Sequence, residues 1–389
     1  MKIFFIFPLL LLLLSCGVTT ELQTNKAAPS DLQAVSTLNN QIQLNWKDNS
    51  FQELGFIISR RIGSSAFEII DTTAVNSSRY FDADVLKDSL YTYRVAALFD
   101  DDISDWSNEA ALIHKYFFGE VEFGQPETFD VITWNIQNFP KANQSTVDYL
   151  TFAILALDAE VIGLQEIESL YHFELLLQQI NLLDTLNTWN GYRANSAAYE
   201  INLAYIYNSD QVEVINIYEI YRNDWYAFPR PPLVMECSFK NRLFYIINNH
   251  FKAFSGIENE ARRRDASEKL DLYISENHAA DNVIVLGDLN DDITEPQISN
   301  VFWVFISQPD EYLFADLEIA LGAPGYWSYP GFPSHLDHIL ITNELFAAFT
   351  HENSDCSTLL LDSFLSGNWS EYYQNISDHR PVGMRLYLE

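Results

Sequence analysis

The residues able to do chemistry gather where apolar runs end. Val283-Ile284-Val285-Leu286 reads as a buried strand. Gly287 then lets the backbone turn without a Cβ clash. Asp288 and Asn290 follow two apart, a spacing that points both side chains to one side of an extended segment. A carboxylate and an amide delivered together suit a phosphate ester. The carboxylate takes a proton or binds a metal, and the amide donates to phosphoryl oxygens. The pattern recurs: Asn135 follows the run Phe129–Trp134, Glu166 ends Val161–Glu166, and Asn248-Asn249-His250 follow Leu243–Ile247. Asp337 stands at the head of the Ile339-Leu340 run, and Asp378-His379 stand just before Val382–Leu386. Any one of these is an ordinary turn former. Together they predict one rim of a layered α/β structure, where sites are usually built.

The elements that position them alternate between strand and helix. Helical spacing is expected over Thr146–Leu157, Phe173–Leu186 and Glu260–Ser275, the last opened by Arg262-Arg263-Arg264. Further strands are expected at Leu203–Tyr207 and Leu233–Ser238. This chemistry-bearing domain spans residues 128–389. Residues 113–127, with Gly119, Gly124 and Pro126 among aromatics, read as a linker. Before it, residues 28–112 alternate in short strands: Gln41–Trp46, Gly55–Arg60, Ala66–Ile70 and Leu90–Ala97. That spacing predicts a β-sandwich.

The N-terminus reads as an export signal. Lys2 precedes an apolar run, Ile3–Leu14, too short to span a bilayer as a stable anchor. Leu13-Leu14-Ser15-Cys16 resembles the bacterial lipobox, which implies a signal peptide over 1–15, lipidation of Cys16 and a polar tether over 16–27. The protein is then expected at a bacterial cell envelope, lipid-anchored, with the membrane as a partner through its acyl chains. Cys237 and Cys356 remain, either paired or as free buried thiols.

Two resemblances rest on these residues. The first domain resembles a fibronectin type III module in Trp46, the Tyr91-x-Tyr93-x-Val95 strand and Trp106-Ser107. Trp46 and Tyr93 are expected as core and corner residues, and the module as a spacer or a unit binding protein or polysaccharide. The second domain resembles the endonuclease/exonuclease/phosphatase superfamily, with the deoxyribonuclease I-like fold. The stretches that carry this are WNIQNF (134–139), LQEI (164–167), NNHFKA (248–253), GDLND (287–291), LDHIL (336–340) and SDHRPV (377–382). The resemblance implies a four-layer α/β sandwich and divalent-metal-dependent phosphoester hydrolysis. Mg²⁺ is the expected cofactor, with Mn²⁺ or Ca²⁺ as alternatives.

Carried onto this chain, it makes Glu166 the main metal ligand, supported by Asn135 and Asp378. His379 is the expected general base or phosphate-positioning imidazole, oriented by Asp337. Asp288 is the other candidate for aligning or deprotonating water, with Asn290 beside it, and the sequence leaves this choice open. His250 donates to the phosphate or protonates the leaving oxygen. Arg230 and Asn249 are expected at the substrate. Gln137 occupies a position where some relatives carry an acidic metal contact, so one dominant metal is expected.

Composition limits the substrate. The 389 residues carry 54 acidic and 22 basic side chains, a net charge of -32. Such a balance disfavours non-specific binding to nucleic acid or anionic lipid. A polyanion must therefore meet a local basic patch or bound cations. Three classes fit. The first is a nuclease cutting DNA or RNA, suggested by NNHFKA and the arginines at 262–264. The second is a phosphatase or phospholipase C-like enzyme acting on inositol phosphates or sphingomyelin. The third is a non-catalytic surface interaction protein.

Overall fold

The computed structural model describes residues 26–37, 40–86, 89–114, 118 and 121–388. The expected signal peptide and Cys16 lie outside them. The chain forms two compact units, the first ending at Lys115 and the second beginning at Tyr116.

Among its described residues the first unit forms seven strands: β1 (Ser30–Ser36), β2 (Ile42–Lys47), β3 (Gly55–Ile62), β4 (Glu68–Thr72), β5 (Arg79–Asp82), β6 (Leu90–Leu98) and β7 (Ala110–Ile113). They form two antiparallel sheets, ordered β1-β2-β5 and β4-β3-β6-β7. Leu44, Trp46, Phe56, Ile58, Tyr93 and Val95 share one buried cluster. The period-two pattern of β2 and β6 produces this by sending alternate side chains inward. Tyr93 is a core residue, and its hydroxyl donates to Asp82 at 2.8 Å. The neighbouring Tyr91 hydroxyl accepts from the Leu86 amide at 2.7 Å.

The second unit carries two six-stranded mixed sheets. The first uses β8 (Thr128–Phe139), β9 (Val161–Ile167), β10 (Trp189–Arg193), β11 (Asn202–Asn208), β18 (Asp355–Thr358) and β19 (Val382–Tyr387), in the order β10-β11-β9-β8-β19-β18. The second uses β12 (Val212–Glu219), β13 (Leu233–Phe239), β14 (Arg242–His250), β15 (Asn282–Asp288), β16 (Tyr312–Phe314) and β17 (Asp337–Thr342), in the order β12-β13-β14-β15-β17-β16. Each sheet contains one parallel pair, β8 with β9 and β14 with β15.

Alternation within the strands builds the layers. Ile132 and Trp134 of β8 pack with α1 (Gln144–Leu157) and α2 (Leu170–Leu183). Phe129 and Val131, one residue out of phase, pack against Met235, Ile246, Ile284 and Leu286 of the other sheet. Val283 and Val285 of β15 face α3 (Ile257–Asn277) through Ala266, Leu270 and Ile274. The result is helix, sheet, sheet, helix, the expected four-layer α/β sandwich. A Cβ on Gly163 would lie 2.4 Å from Leu286 Cδ1, so glycine is what lets the sheets close there. Cys237 and Cys356 are both free. Among the described residues no helix is long and apolar enough to cross a membrane.

Candidate active site

Both parallel pairs end at the same rim. Asn135 and Gln165 are register partners near the ends of β8 and β9, as are His250 and Asp288 on β14 and β15. The antiparallel β17 enters with Asp337 opposite Asp288. Gly287 has a different role from the expected turn. Strand β15 runs on through Asp288, and at φ +149° a Cβ on Gly287 would fall 2.0 Å from the Asn249 carbonyl oxygen. The chain turns one step later: Asn290 takes φ 56°, and its amide donates to Asp288 Oδ1 at 3.1 Å. An Asx turn, not strand alternation, therefore brings Asp288 and Asn290 together.

Asn135 binds two carboxylates at once. Its amide nitrogen donates to Glu166 Oε1 at 3.2 Å and to Asp288 Oδ2 at 2.9 Å. Its carbonyl oxygen accepts from the Gln137 backbone at 3.0 Å. The atom facing the carboxylates is a donor, so Asn135 ties Glu166 on one sheet to Asp288 on the other. Glu166 sits at φ 63°, a left-handed conformation unusual for a side chain this size. The Asn138 amide holds its Oε2 at 2.9 Å.

His379 Nδ1 lies 2.7 Å from Asp337 Oδ2, and its Nε2 is 3.9 Å from Asp288 Oδ2. Burial alone would lower its pKa, but Asp337 and then Asp288 lift it to about 10. The pKa of Asp288 is raised as well, and here the enclosure itself is the main cause. Burial raises its pKa, with Asp337 and Glu166 adding repulsion that His379 and Asn135 only partly offset. Each group's charge favours the charged form of the other. His250 Nε2 lies 3.5 Å from Asp288 Oδ2, and burial together with Arg230 and His379 drives its pKa well down. It is therefore a neutral imidazole able to donate. Arg230 reaches the same cleft, donating to the Phe251 carbonyl at 3.2 Å; burial lowers its pKa and the charges of Glu166 and Asp288 oppose that. Asp378 Oδ1 is buried without a hydrogen-bond partner, and burial raises that carboxyl's pKa.

Geometry overturns one expectation and divides another. Asn249 lies between Asn248 and His250 on β14, so its side chain projects to the opposite face. It donates to the Ile247 carbonyl at 2.8 Å and is absent from the cleft lining. The three arginines of α3 also divide. Arg263 pairs with Asp291 at 2.7 Å and binds the carbonyls of Lys252 and Phe254. Arg264 binds the carbonyls of Ser299 and Asn300. Of the three, Arg262 and Arg263 line the cleft, but Arg263 is neutralised by its pair. Gln137 turns to Lys141, whose ammonium binds its amide oxygen.

The residues fit a divalent cation with oxygen ligands. Glu166, Asp288, Asp337 and Asp378 converge with few counter-charges, and one oxygen each of Asp337 and Asp378 is buried without a partner. Negative charge that the protein leaves uncompensated is what a hydrated hard cation neutralises. Asp288, Asp337 and His379 bring ligand atoms within 4.8 Å of one another, but His379 already spends Nδ1 on Asp337.

Sequence reasoning missed the groups that hold this arrangement in place. Ser377 Oγ donates to the Asn135 carbonyl at 2.7 Å and accepts from the His379 amide at 3.0 Å. The Tyr372 hydroxyl donates to the His379 carbonyl at 2.7 Å. Asp316 binds two histidines: His335 Nε2 at 3.0 Å and His338 Nδ1 at 2.6 Å. His338 Nε2 reaches the Asp291 carbonyl at 2.9 Å. Both His338 nitrogens face acceptors, so the ring is an imidazolium. Its raised pKa agrees: burial lowers it, and the adjacent Asp316 overcomes that. The signal in the sequence was the pair of histidines flanking Asp337, at 335 and 338.

The profile of the Endonuclease/Exonuclease/phosphatase family matches residues 133–387. A search of curated proteins returns no match. Among solved structures, the chain is similar to D. rerio TDP2 humanised by 14 mutations, at 14% identity and a TM-score of 0.50, covering 67% of this chain and 100% of that one. It is similar to D. rerio TDP2 complexed with a single-strand DNA product, at 13% identity and a TM-score of 0.50, covering 67% and 99%. The human Nocturnin catalytic domain with bound sulfate gives 18% identity, a TM-score of 0.47 and coverage of 67% and 95%. At such identities the likeness is one of fold. The family match rests on the segment that carries the paired carboxylates, the buried His–Asp pair and the cleft, and it makes this chain a hydrolytic phosphoesterase of the endonuclease/exonuclease/phosphatase family.

Proposed function

We propose that the protein is a divalent-metal-dependent phosphodiesterase that cuts nucleic acid. The observation that carries this is the continuous contact path Glu166–Asn135–Asp288, closed by His250 and by the Asp337–His379 pair, beside the Arg230 guanidinium. A phosphodiester resists water because its anionic oxygens repel the nucleophile. Catalysis needs donors for developing charge and a group to take the water proton. Glu166 and Asp378 are the residues that would hold the cation, Mg²⁺ by preference. Bound there, it would act as a Lewis acid on a phosphoryl oxygen.

The remaining work falls to side chains. Asp288, with its raised proton affinity, aligns the attacking water and accepts its proton. His379, kept protonated by Asp337, faces the phosphoryl charge. This favours one of the two assignments the sequence left open. Neutral His250 donates through Nε2 to a phosphoryl or leaving oxygen. Asn290 flanks Asp288, and Arg230 supplies a second fixed positive charge. D. rerio TDP2, similar in fold, has been solved with a single-strand DNA product, which supports nucleic acid as the substrate class.

The first unit serves as a fibronectin type III-like spacer over about residues 28–112. Supporting this are its two antiparallel sheets and the bond from the Leu86 amide to the Tyr91 hydroxyl. A lipid anchor at Cys16, in a bacterial cell envelope, is supported by the sequence alone.

The test is hydrolysis of DNA and RNA with Mg²⁺, Mn²⁺ or Ca²⁺, with and without a chelator. Cleavage should vanish on chelation. Glu166→Gln should lower Mg²⁺-supported activity by at least about 100-fold and raise the Mg²⁺ concentration needed for half-activity. No cleavage under any divalent ion would end the nuclease reading.

A further inference from the structure

The cleft is larger than one phosphate ester requires. Its volume is about 1330 Å³, above the range of about 300–1,000 Å³ usual for small-molecule sites. Its rim carries large aromatic rings left open to water: Phe254 is 79% exposed, Phe332 76% and Trp225 50%. All three line the cleft that holds Asp288 and His379. Apolar rings exposed together at a cleft mark a binding surface.

Cations are interleaved with these rings. The Lys252 ammonium lies 4.9 Å from the Phe254 ring centre. The Arg262 guanidinium lies 5.4 Å from the Tyr226 ring centre and fixes the adjoining turn by donating to the carbonyls of Trp225 and Tyr226. Lys252 is crowded by like charge: burial lowers its pKa, and so do Arg262, Arg230 and Arg263. In a chain of net charge -32, Lys252, Arg262 and Arg230 thus lie close together along a cleft whose lining also carries seven carboxyl groups. A flat ring beside a cation, as Phe254 with Lys252 and Tyr226 with Arg262, matches a nucleotide, which offers a base face and a phosphate. A duplex hides its base faces and cannot use the rings. A zwitterionic lipid surface could use the rings but gains little from the cations.

We infer that this rim is a subsite for single-stranded nucleic acid, in which Phe254, Phe332 and Trp225 stack on unpaired bases while Lys252, Arg262 and Arg230 hold the connecting phosphates. The inference rests on the nucleic-acid reading above and narrows it to unpaired strands or single-stranded ends.

The experiment uses the full chain carrying Asp288→Asn, with Mg²⁺, so that bound strand survives. Fluorescence anisotropy compares a labelled single strand of about 10 nucleotides with its duplex. Co-sedimentation tests vesicles of phosphatidylcholine and sphingomyelin. The single strand should bind about tenfold tighter than the duplex, and Phe254→Leu and Phe332→Leu should each weaken it by about tenfold. Phe254→Trp should retain binding, because it keeps the flat face. The position is exposed, and equal thermal midpoints of the variants would show intact folds. Three results would each overturn the inference: equal affinity for duplex and single strand, full binding by Phe254→Leu, or binding of vesicles without oligonucleotide. Hydrolysis by the parent chain is measured separately. Cleavage of nucleic acid without single-strand preference sinks this inference alone. The absence of any cleavage sinks the function proposed above.

Discussion

At the scale of single residues, the site is a set of groups held away from their ordinary protonation. Asp337 is fully buried, with one oxygen committed to His379 and the other without a partner. In the function proposed above, it acts through the imidazole that it holds. If protonated His379 is the working form, activity should fall on the alkaline side as that proton is lost. The folded pKa of His379 is raised to about 10 by Asp337 and Asp288 against the effect of burial. Removing Asp337 must lower it toward the ordinary value of about 6.5. Asp337→Asn should therefore cut kcat/KM by at least about 100-fold and shift the alkaline limb of the pH–rate profile to lower pH. A loss of activity with the limb unmoved would mean that Asp337 merely packs. The near-isosteric Asn keeps the volume, so the shift of the limb is the informative readout.

At the scale of elements, the site depends on two sheets held in register. Behind the cleft, Gln165 of β9 donates to Asn248 of β14 at 2.8 Å, and Asn248 donates back to the Leu164 and Ala204 carbonyls. The strands that carry catalytic groups were legible in the sequence, because a buried run ending in a polar residue has no bland partner pattern to hide behind. The edge strands were not. β10, β12 and β18 are short or half-exposed, and their pairing is set by neighbours far along the chain. Helix α2 starts at Leu170, earlier than apolar spacing suggests, because Ser169 Oγ caps the His172 amide. The Asp316 network could not be assembled from the sequence for a similar reason. Its histidine partners lie 19 and 22 residues downstream, with no periodicity to join them. This network anchors the Asp291 carbonyl, and with it the turn that carries Asp288 and Asn290. Asp316→Asn should cost about 3–5 kcal/mol, as breaking a buried ion pair does. The sign of its pH dependence follows from both partners. Burial raises the Asp316 pKa, but His338 and His335 hold it well below the ordinary range, so its contribution is lost only as pH falls below about 4. The His338 pKa is raised, so its contribution is full below about 6.5 and fades as pH climbs through the raised value. Thermal unfolding of parent and variant should differ most between those limits. A constant difference across the pH range would refute the ion pair.

At the scale of the whole molecule, charge excess and buried acid act in the same direction. A net charge of -32 opposes compaction in every part of the chain. At the end of β8 and β9 far from the cleft, Asp130 and Glu160 are both buried, and the Asp130 amide donates to Glu160 Oε2 at 2.7 Å. Burial, followed by repulsion from Asp130, raises Glu160 to about 8, and burial raises Asp130 to about 6. A carboxyl whose folded pKa lies above its unfolded one binds more protons when folded. Its stabilising contribution is full below the unfolded value and disappears as pH rises through the folded one. The second unit should therefore be most stable at mildly acidic pH and lose stability steadily toward pH 8. Salt at about 0.3 M should raise its thermal midpoint at every pH by screening the exposed acids, but should leave the buried pair's slope in place. Glu160→Gln keeps the acceptor for the Asp130 amide and cannot ionise. It should gain about 1–3 kcal/mol near pH 8, little near pH 5, and flatten the pH dependence that salt does not remove. Calorimetric scans of the full chain from about pH 5 to 8, with and without salt, separate the two contributions. An unchanged slope in Glu160→Gln would place the whole pH dependence in surface repulsion and remove the buried pair from the account.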